Sequence, residues 1–177
     1  MSEFHRLVEQ EIPRLRRYAR ALTRSADRAD DLVQETLLRA IAKAHLWQTG
    51  TDIRAWLFTI MHNQHVNMVR RAMREEATVD IEQMSSSLVA TTDPTASRQL
   101  RELECALARL PDEQREVILL VGLEGMSYES AAGILSVPVG TVRSRLSRGR
   151  DTLRSLMGFP ERAGRATKPQ ERTALAA

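Results

Sequence analysis

The sequence predicts an all-α fold: two small helical domains joined by a flexible linker, the second containing a helix-turn-helix. Three observations predict it. Nearly every periodic stretch repeats its apolar residues at intervals of three and four, with no convincing strand alternation. One polar, serine- and threonine-rich stretch interrupts that pattern. The last third then reads as a short helix, a tight turn and a second helix loaded with arginine.

In chain order, a first helix is expected from about Glu3 to Thr23, with Leu7, Leu15, Tyr18, Ala19 and Leu22 apolar. Pro13 lies inside it and predicts a kink or a split. Ser25 to Asp27 offers a cap for a second helix that ends near His45. Trp47 to Thr51 reads as a loop, and Asp52 caps a long helix reaching about Glu76. From Ala77 the character changes: Ser85-Ser86-Ser87 and Thr91-Thr92-Asp93-Pro94 carry few large apolar residues, and 77–96 is read as a linker. Helices resume over Ser97–Arg109 and Asp112–Leu123, the latter opened by Pro111. After Gly158 the tail (159–177) is expected to be disordered.

In the helix-turn-helix, Ser127 is a good N-cap and Glu129 suits the positive end of the helix dipole. Ala131, Ala132 and Leu135 can face a core, Pro138 is expected to stop the helix, and Gly140-Thr141 opens the next with residues small enough for a close crossing. On a wheel of about 100° per residue, Val139, Val142, Leu146, Leu153 and Met157 share the buried arc. Thr141, Ser144, Ser147, Arg148 and Asp151 lie opposite, with Arg145 on one shoulder and Arg143, Arg150 and Arg154 on the other. A helix entering a major groove needs this layout: central side chains reach base edges and flanking arginines reach phosphates. Arg148 is the best placed for a bidentate contact to guanine, with Arg143, Arg145 and Arg150 as positioning contacts. The plainer alternative, a solvated basic face, is weakened by the five arginines that stand against one acid between Thr141 and Arg154.

Composition narrows the field. There are 26 basic and 23 acidic residues, so net charge says little, but only Lys43 and Lys168 are lysine. Arginine's planar fork suits phosphate and guanine, although a GC-rich genome favours it too. An aromatic content of 4% argues against a β-sandwich and against a ladder of stacking platforms. No apolar run is long enough to span a membrane, no signal peptide is evident, and the single Cys105 excludes a disulfide framework and a thiolate zinc site. No cofactor is expected, and the cytoplasm is the natural compartment.

The long helix has a second face of interest. Trp56, Ile60, Asn63, Asn67, Arg70 and Arg74 form one stripe, while Leu57, Met61 and Met68 form the buried side. Asparagine amides can bond the edge of an unstacked base and arginines can hold its phosphates. Trp47 could stack on such a base or wedge beside it. The alternative makes Trp56 and Ile60 core residues and the asparagines ordinary surface; the pattern leaves both open.

These residues also carry a family likeness. From about Leu15 to Met157 the chain resembles bacterial sigma-70-family factors of the extracytoplasmic-function (ECF) type. Region 2 looks like Asp30-Asp31-Leu32-Val33-Gln34-Glu35-Thr36 followed by Arg54-Ala55-Trp56-Leu57-Phe58-Thr59-Ile60-Met61-His62-Asn63. Region 4 looks like Leu110-Pro111-Asp112-Glu113-Gln114-Arg115-Glu116-Val117 followed by the helix-turn-helix. The resemblance implies residues 1–76 as a region 2 domain, 97–158 as a region 4 domain, and a dissociable subunit of RNA polymerase rather than an enzyme. Asp31, Gln34 and Glu35 would dock on the β′ clamp helices of core polymerase. Asn63, Asn67, Arg70 and Arg71 match the family's −10 helix, with Trp47 near the flipped-base pocket. Region 4 would read the −35 element through Arg143, Ser144, Ser147 and Arg148, and its Leu110-to-Gly122 part would meet the β flap; Ser147 stands where many family members place an aromatic. An anti-sigma factor is an expected partner.

A linker of roughly 18 residues reaches about 60 Å when extended, more than the roughly 34 Å of one duplex turn, so two domains on one polymerase can hold two promoter elements at raised effective concentration. Three other readings compete. His62 and His65 could be metal ligands of an enzyme, but no third ligand, nucleophile–base pair or phosphate loop accompanies them. A stand-alone regulator leaves the first domain unexplained. A sigma-like decoy that binds an anti-sigma without DNA has no need of the arginines at 143, 145, 148 and 150.

Overall fold

The computed structural model describes residues 3–76 and 94–160; the linker over 77–93 and the tail from 161 lie outside the described residues. Among those described there is no strand. The elements are α1 (Glu3–Thr23), α2 (Ala26–Ala42), a 3-10 turn (Ala44–Leu46), α3 (Ile53–Glu76), α4 (Pro94–Ala108), α5 (Asp112–Ile118), a π turn (Leu119–Leu123), α6 (Tyr128–Leu135) and α7 (Val139–Leu156).

Pro13 does not split α1, which runs through it. Ser25 caps α2 by accepting from the Arg28 N–H at 3.4 Å, and Asp52 caps α3 through the N–H groups of Arg54 and Ala55 at 3.0 and 3.1 Å. Both satisfy donors that the first helical turn leaves without partners. The second helix is shorter than expected: α2 ends at Ala42 and the 3-10 turn carries the chain to Trp47. α4 begins at Pro94, inside the stretch read as linker, because proline is well tolerated in a first helical turn.

α1, α2 and α3 form the first helical unit around Leu15, Tyr18, Leu22, Leu32, Leu57, Phe58 and Met61. α4 to α7 form the second around Val117, Leu120, Ala131, Val142 and Leu146. The two units pack on each other: α3 lies against α6 and α1 against the π turn, so one apolar core runs through both.

The turn between α6 and α7 differs in detail from expectation. α6 ends at Leu135, before Pro138, because Ser136 adopts the left-handed conformation (φ +53°) and its N–H returns to the last helical carbonyls. Pro138 instead stands at the N-cap of α7, where its missing N–H costs nothing. Gly140 is not the close-approach residue either: a Cβ there would meet nothing within 4 Å. That position is Gly149, where a Cβ would stand 2.6 Å from Ile118 Cδ1 and 3.3 Å from Gln114 Cβ. Gly149 is buried and lets α7 lie directly on α5.

Candidate nucleic-acid interface

α7 owes its orientation to two apolar anchors and one glycine. Val142, Leu146 and Gly149 are buried at intervals of four and three, which pins one face of α7 to α5 and α6. The opposite face is thereby turned outward. Arg143, Ser144, Arg148 and Arg150 are exposed on it, and Thr141 and Ser147 are half-buried at its margin.

Arg143 lies over the Tyr128 ring, 5.9 Å from its centroid, which presents the guanidinium at the α6–α7 turn. The Ser144 hydroxyl donates to the Thr141 carbonyl at 3.0 Å. Arg145 behaves differently from its neighbours: it pairs with Glu113 of α5 at 2.7 Å and is only 22% exposed. It ties α7 to α5, and a phosphate contact would have to compete with that carboxylate. The outward cations closest to the centre of the face are therefore Arg143, Arg148 and Arg150.

On α3, Asn63, Asn67, Arg70, Arg71 and Arg74 are exposed along one side. Trp56 and Ile60 belong with the interior instead, half-buried against the core. Trp56 sits 6.0 Å from Phe4, and Trp47 sits 5.7 Å from the same ring, so the 3-10 turn and α3 are closed by an aromatic cluster. The Trp47 Nε1 is buried without a hydrogen-bond partner among the described residues. The stripe expected from the wheel thus divides: its N-terminal third is structural packing, and its asparagines and arginines form the accessible part.

Asp31 and Gln34 are exposed on α2, and Glu35 pairs with Arg39 one turn on at 2.7 Å. Leu38 and Ile41, 64% and 52% exposed, continue this face toward the C-terminus of α2 as an apolar extension that polar patterning does not mark. His62 and His65 do not converge on a metal. His62 Nδ1 meets Glu116 Oε1 at 3.0 Å, and burial holds the His65 pKa below its ordinary value, partly offset by the Glu116 and Asp112 carboxylates. Among the described residues no group of three or more metal-ligating side chains is present, and no helix is long and apolar enough to cross a membrane.

Comparison with known proteins finds a sigma-family match in each helical unit. Residues 8–62 match the family model described as the Sigma2 domain of PhyR, and residues 100–153 match Sigma-70, region 4. The ECF RNA polymerase sigma factor EcfG of Rhodopseudomonas palustris is 44% identical over 146 residues, spanning 82% of this chain and 80% of that protein. Among solved structures, the sigma factor RpoE of Bartonella quintana, in complex with the anti-sigma factor NepR, superposes with a TM-score of 0.80 at 36% identity, covering 89% of this chain and 98% of that one. CnrH, in complex with the cytosolic domain of CnrY, superposes with a TM-score of 0.64 at 28% identity, covering 88% of this chain and 87% of the other. With both sigma regions in order on one all-helical chain, and near-full-length identity of this degree, the chain belongs to the ECF RNA polymerase sigma factors.

Proposed function

We propose that this protein joins core RNA polymerase, recognises promoter −10 and −35 elements and directs transcription initiation under the control of an anti-sigma factor. The observation that carries the reading is α7: an anchored helix whose outward face presents Arg143, Arg148 and Arg150 around Ser144. Arg148 bonds a guanine edge in the major groove, and Arg143 and Arg150 hold phosphates on either side. The accessible part of α3, Asn63 with Asn67, Arg70, Arg71 and Arg74, takes the −10 strand once it is unstacked. Trp56 and Ile60 act by fixing that helix, and Trp47 forms the wall beside it. Asp31, Gln34 and Glu35 dock on the β′ clamp helices, and α5 with the π turn meets the β flap. The anti-sigma assignment draws support from RpoE and CnrH, both solved with such partners or a partner's cytosolic domain.

The test is run-off transcription with purified bacterial core polymerase on a genomic fragment library, with and without this protein. Starts that require the protein, and that align into two elements, are the expected result. A folded protein that shifts duplex DNA yet yields no starts is a stand-alone regulator. A protein that does neither is a decoy, a reading to which the Sigma2-of-PhyR match gives some support and the outward arginines of α7 give none.

A further inference from the structure

Beside the apolar packing of α3 on α6, the contact between the two helical units holds one buried carboxylate. The π turn ends at Glu124, whose N–H returns to Leu119 at 2.9 Å, and the next residue, Gly125, takes φ +64° so that Met126 can bond back to Leu120 at 3.0 Å. This closing motif fixes the Glu124 side chain, which is wholly buried and reaches across to the first unit. Arg17 of α1 grips Oε1 at 2.9 Å and Arg54 of α3 meets Oε2 at 3.2 Å while also donating to the Glu124 carbonyl. Arg17 and Glu124 are 107 positions apart in sequence. Two further contacts cross the same seam: His62 with Glu116, and Arg24 with the Ala108 carbonyl at 2.9 Å. The Tyr18 hydroxyl of α1 is buried without a hydrogen-bond partner among the described residues.

This arrangement is too short to use a promoter. α3 packs on α6 and α6 on α7. At about 8–10 Å per helix packing, the axes of α3 and α7 lie within about 20 Å of each other. Elements centred near −10 and −35 are separated by about 25 base pairs, or about 85 Å at about 3.4 Å per pair. A linker that extends to about 60 Å bridges most of that span, but only after the seam has parted.

We propose that Glu124, held by Arg17 and Arg54, is a clasp that keeps the free protein in a closed form unable to span both promoter elements, and that it must release before they are engaged. A buried carboxylate gripped from two helices suits the purpose, because it holds one geometry yet loses its value as soon as either side moves and water enters. The gating half of the proposal rests on the sigma-factor reading; the closed form itself does not.

The experiment is a spin-label distance measurement on the full chain, with Cys105→Ser and labels at Gln10→Cys on α1 and Ser155→Cys on α7, all three positions being exposed. The otherwise unmodified protein should give one short, narrow distance. Glu124→Arg should replace it with a long, broad distribution, and adding Arg17→Glu and Arg54→Glu to that variant should restore the short one. Arg17→Gln, at a residue whose side chain is 52% exposed, cannot empty the core and should shift only part of the population. A long distance in the starting protein, or no change on Glu124→Arg, overturns the clasp. In the run-off assay, a closed fraction near nine in ten implies that Glu124→Arg lowers the half-maximal concentration about tenfold. Longer distances with an unchanged half-maximal concentration overturn the gating. Distances that follow the charges in a protein giving no transcripts in any form support the clasp and refute the sigma-factor reading.

Discussion

Gly149→Ala sets two effects of known sign against each other on the recognition helix. Replacing a mid-helix glycine by alanine favours the helix by about 0.5–1 kcal/mol, since the unfolded chain loses freedom. Here the added methyl meets Ile118 Cδ1 at 2.6 Å, with Ile118 Cγ1 and Gln114 Cβ at 3.3 Å. The terminal methyl of Ile118 can rotate away, but its Cγ1 and the Gln114 Cβ are near the backbone of α5 and yield only if α5 and α7 separate. Overpacking of this kind costs about 1–3 kcal/mol. The net expectation is a loss of about 1 kcal/mol, which corresponds to about 4–8 °C in Tm for a unit of this size. Gly140→Ala is the internal control. It lies on the same helix with nothing within 4 Å of the new methyl, so only the favourable term of up to about 1 kcal/mol operates. Urea unfolding of both variants should therefore move in opposite directions. If Gly149→Ala stabilised the protein as much as Gly140→Ala, the close approach of α7 to α5 would be refuted, and with it the account of how α7 is aimed.

Arg148→Ala should cost about 1–3 kcal/mol on a cognate −35 duplex and relax the preference at one base pair, whereas Arg150→Ala should weaken all duplexes alike and lower the slope of log K against log salt by about one; titrations at several salt concentrations separate the two. Asp31→Arg should abolish co-purification with core polymerase while duplex binding by α7 persists, and retained co-purification would remove α2 from the docking surface. Acid should destabilise the protein through His65. Its folded pKa lies below the unfolded value, so its contribution is intact above about pH 6.5 and is lost as pH falls through that range. The unfolded imidazole takes a proton there that the folded one refuses, because burial outweighs the attraction of the Glu116 and Asp112 carboxylates beside it. Thermal melts from pH 7.5 to about 5.5 should show a falling Tm whose slope flattens in His65→Gln.

What the sequence disclosed was whatever depends on near neighbours. The caps at Ser25, Asp52 and Ser127 rest on bonds spanning two or three residues, and each is present. The inward face of α7 was legible because Val142 and Leu146 set it by spacing alone, although Val139, Leu153 and Met157 of the same arc are only half-buried. The stripe on α3 was legible only as a stripe: whether Trp56 faces a base or Phe4 depends on where α1 begins, some fifty positions away. Arg145 looked like its neighbours until α5 brought Glu113 beside it. Gly149 and Glu124 were invisible for the same reason. A glycine inside a basic helix and an acid in a glycine-flanked turn carry no local mark of burial, because what buries them comes from other helices.

The seam between the two units also explains why a clasp can control rather than merely stabilise. Taking the Glu124 carboxylate and most of the Arg54 guanidinium out of water opposes much of their attraction, while Arg17 stays half exposed. The apolar packing of α3 on α6 works the other way. Closure is thus a small difference between opposed terms. To invert a two-state equilibrium from about 1:99 to about 99:1 a partner needs about 5.5 kcal/mol of preference for one form. A large surface that holds α2 and α5 at a separation only the open form can reach supplies that preference through geometry, without touching Glu124. A partner that binds both units while they are closed pushes the same equilibrium the other way. Opposite controls therefore need no separate switch residues: both act on the seam that Glu124 closes.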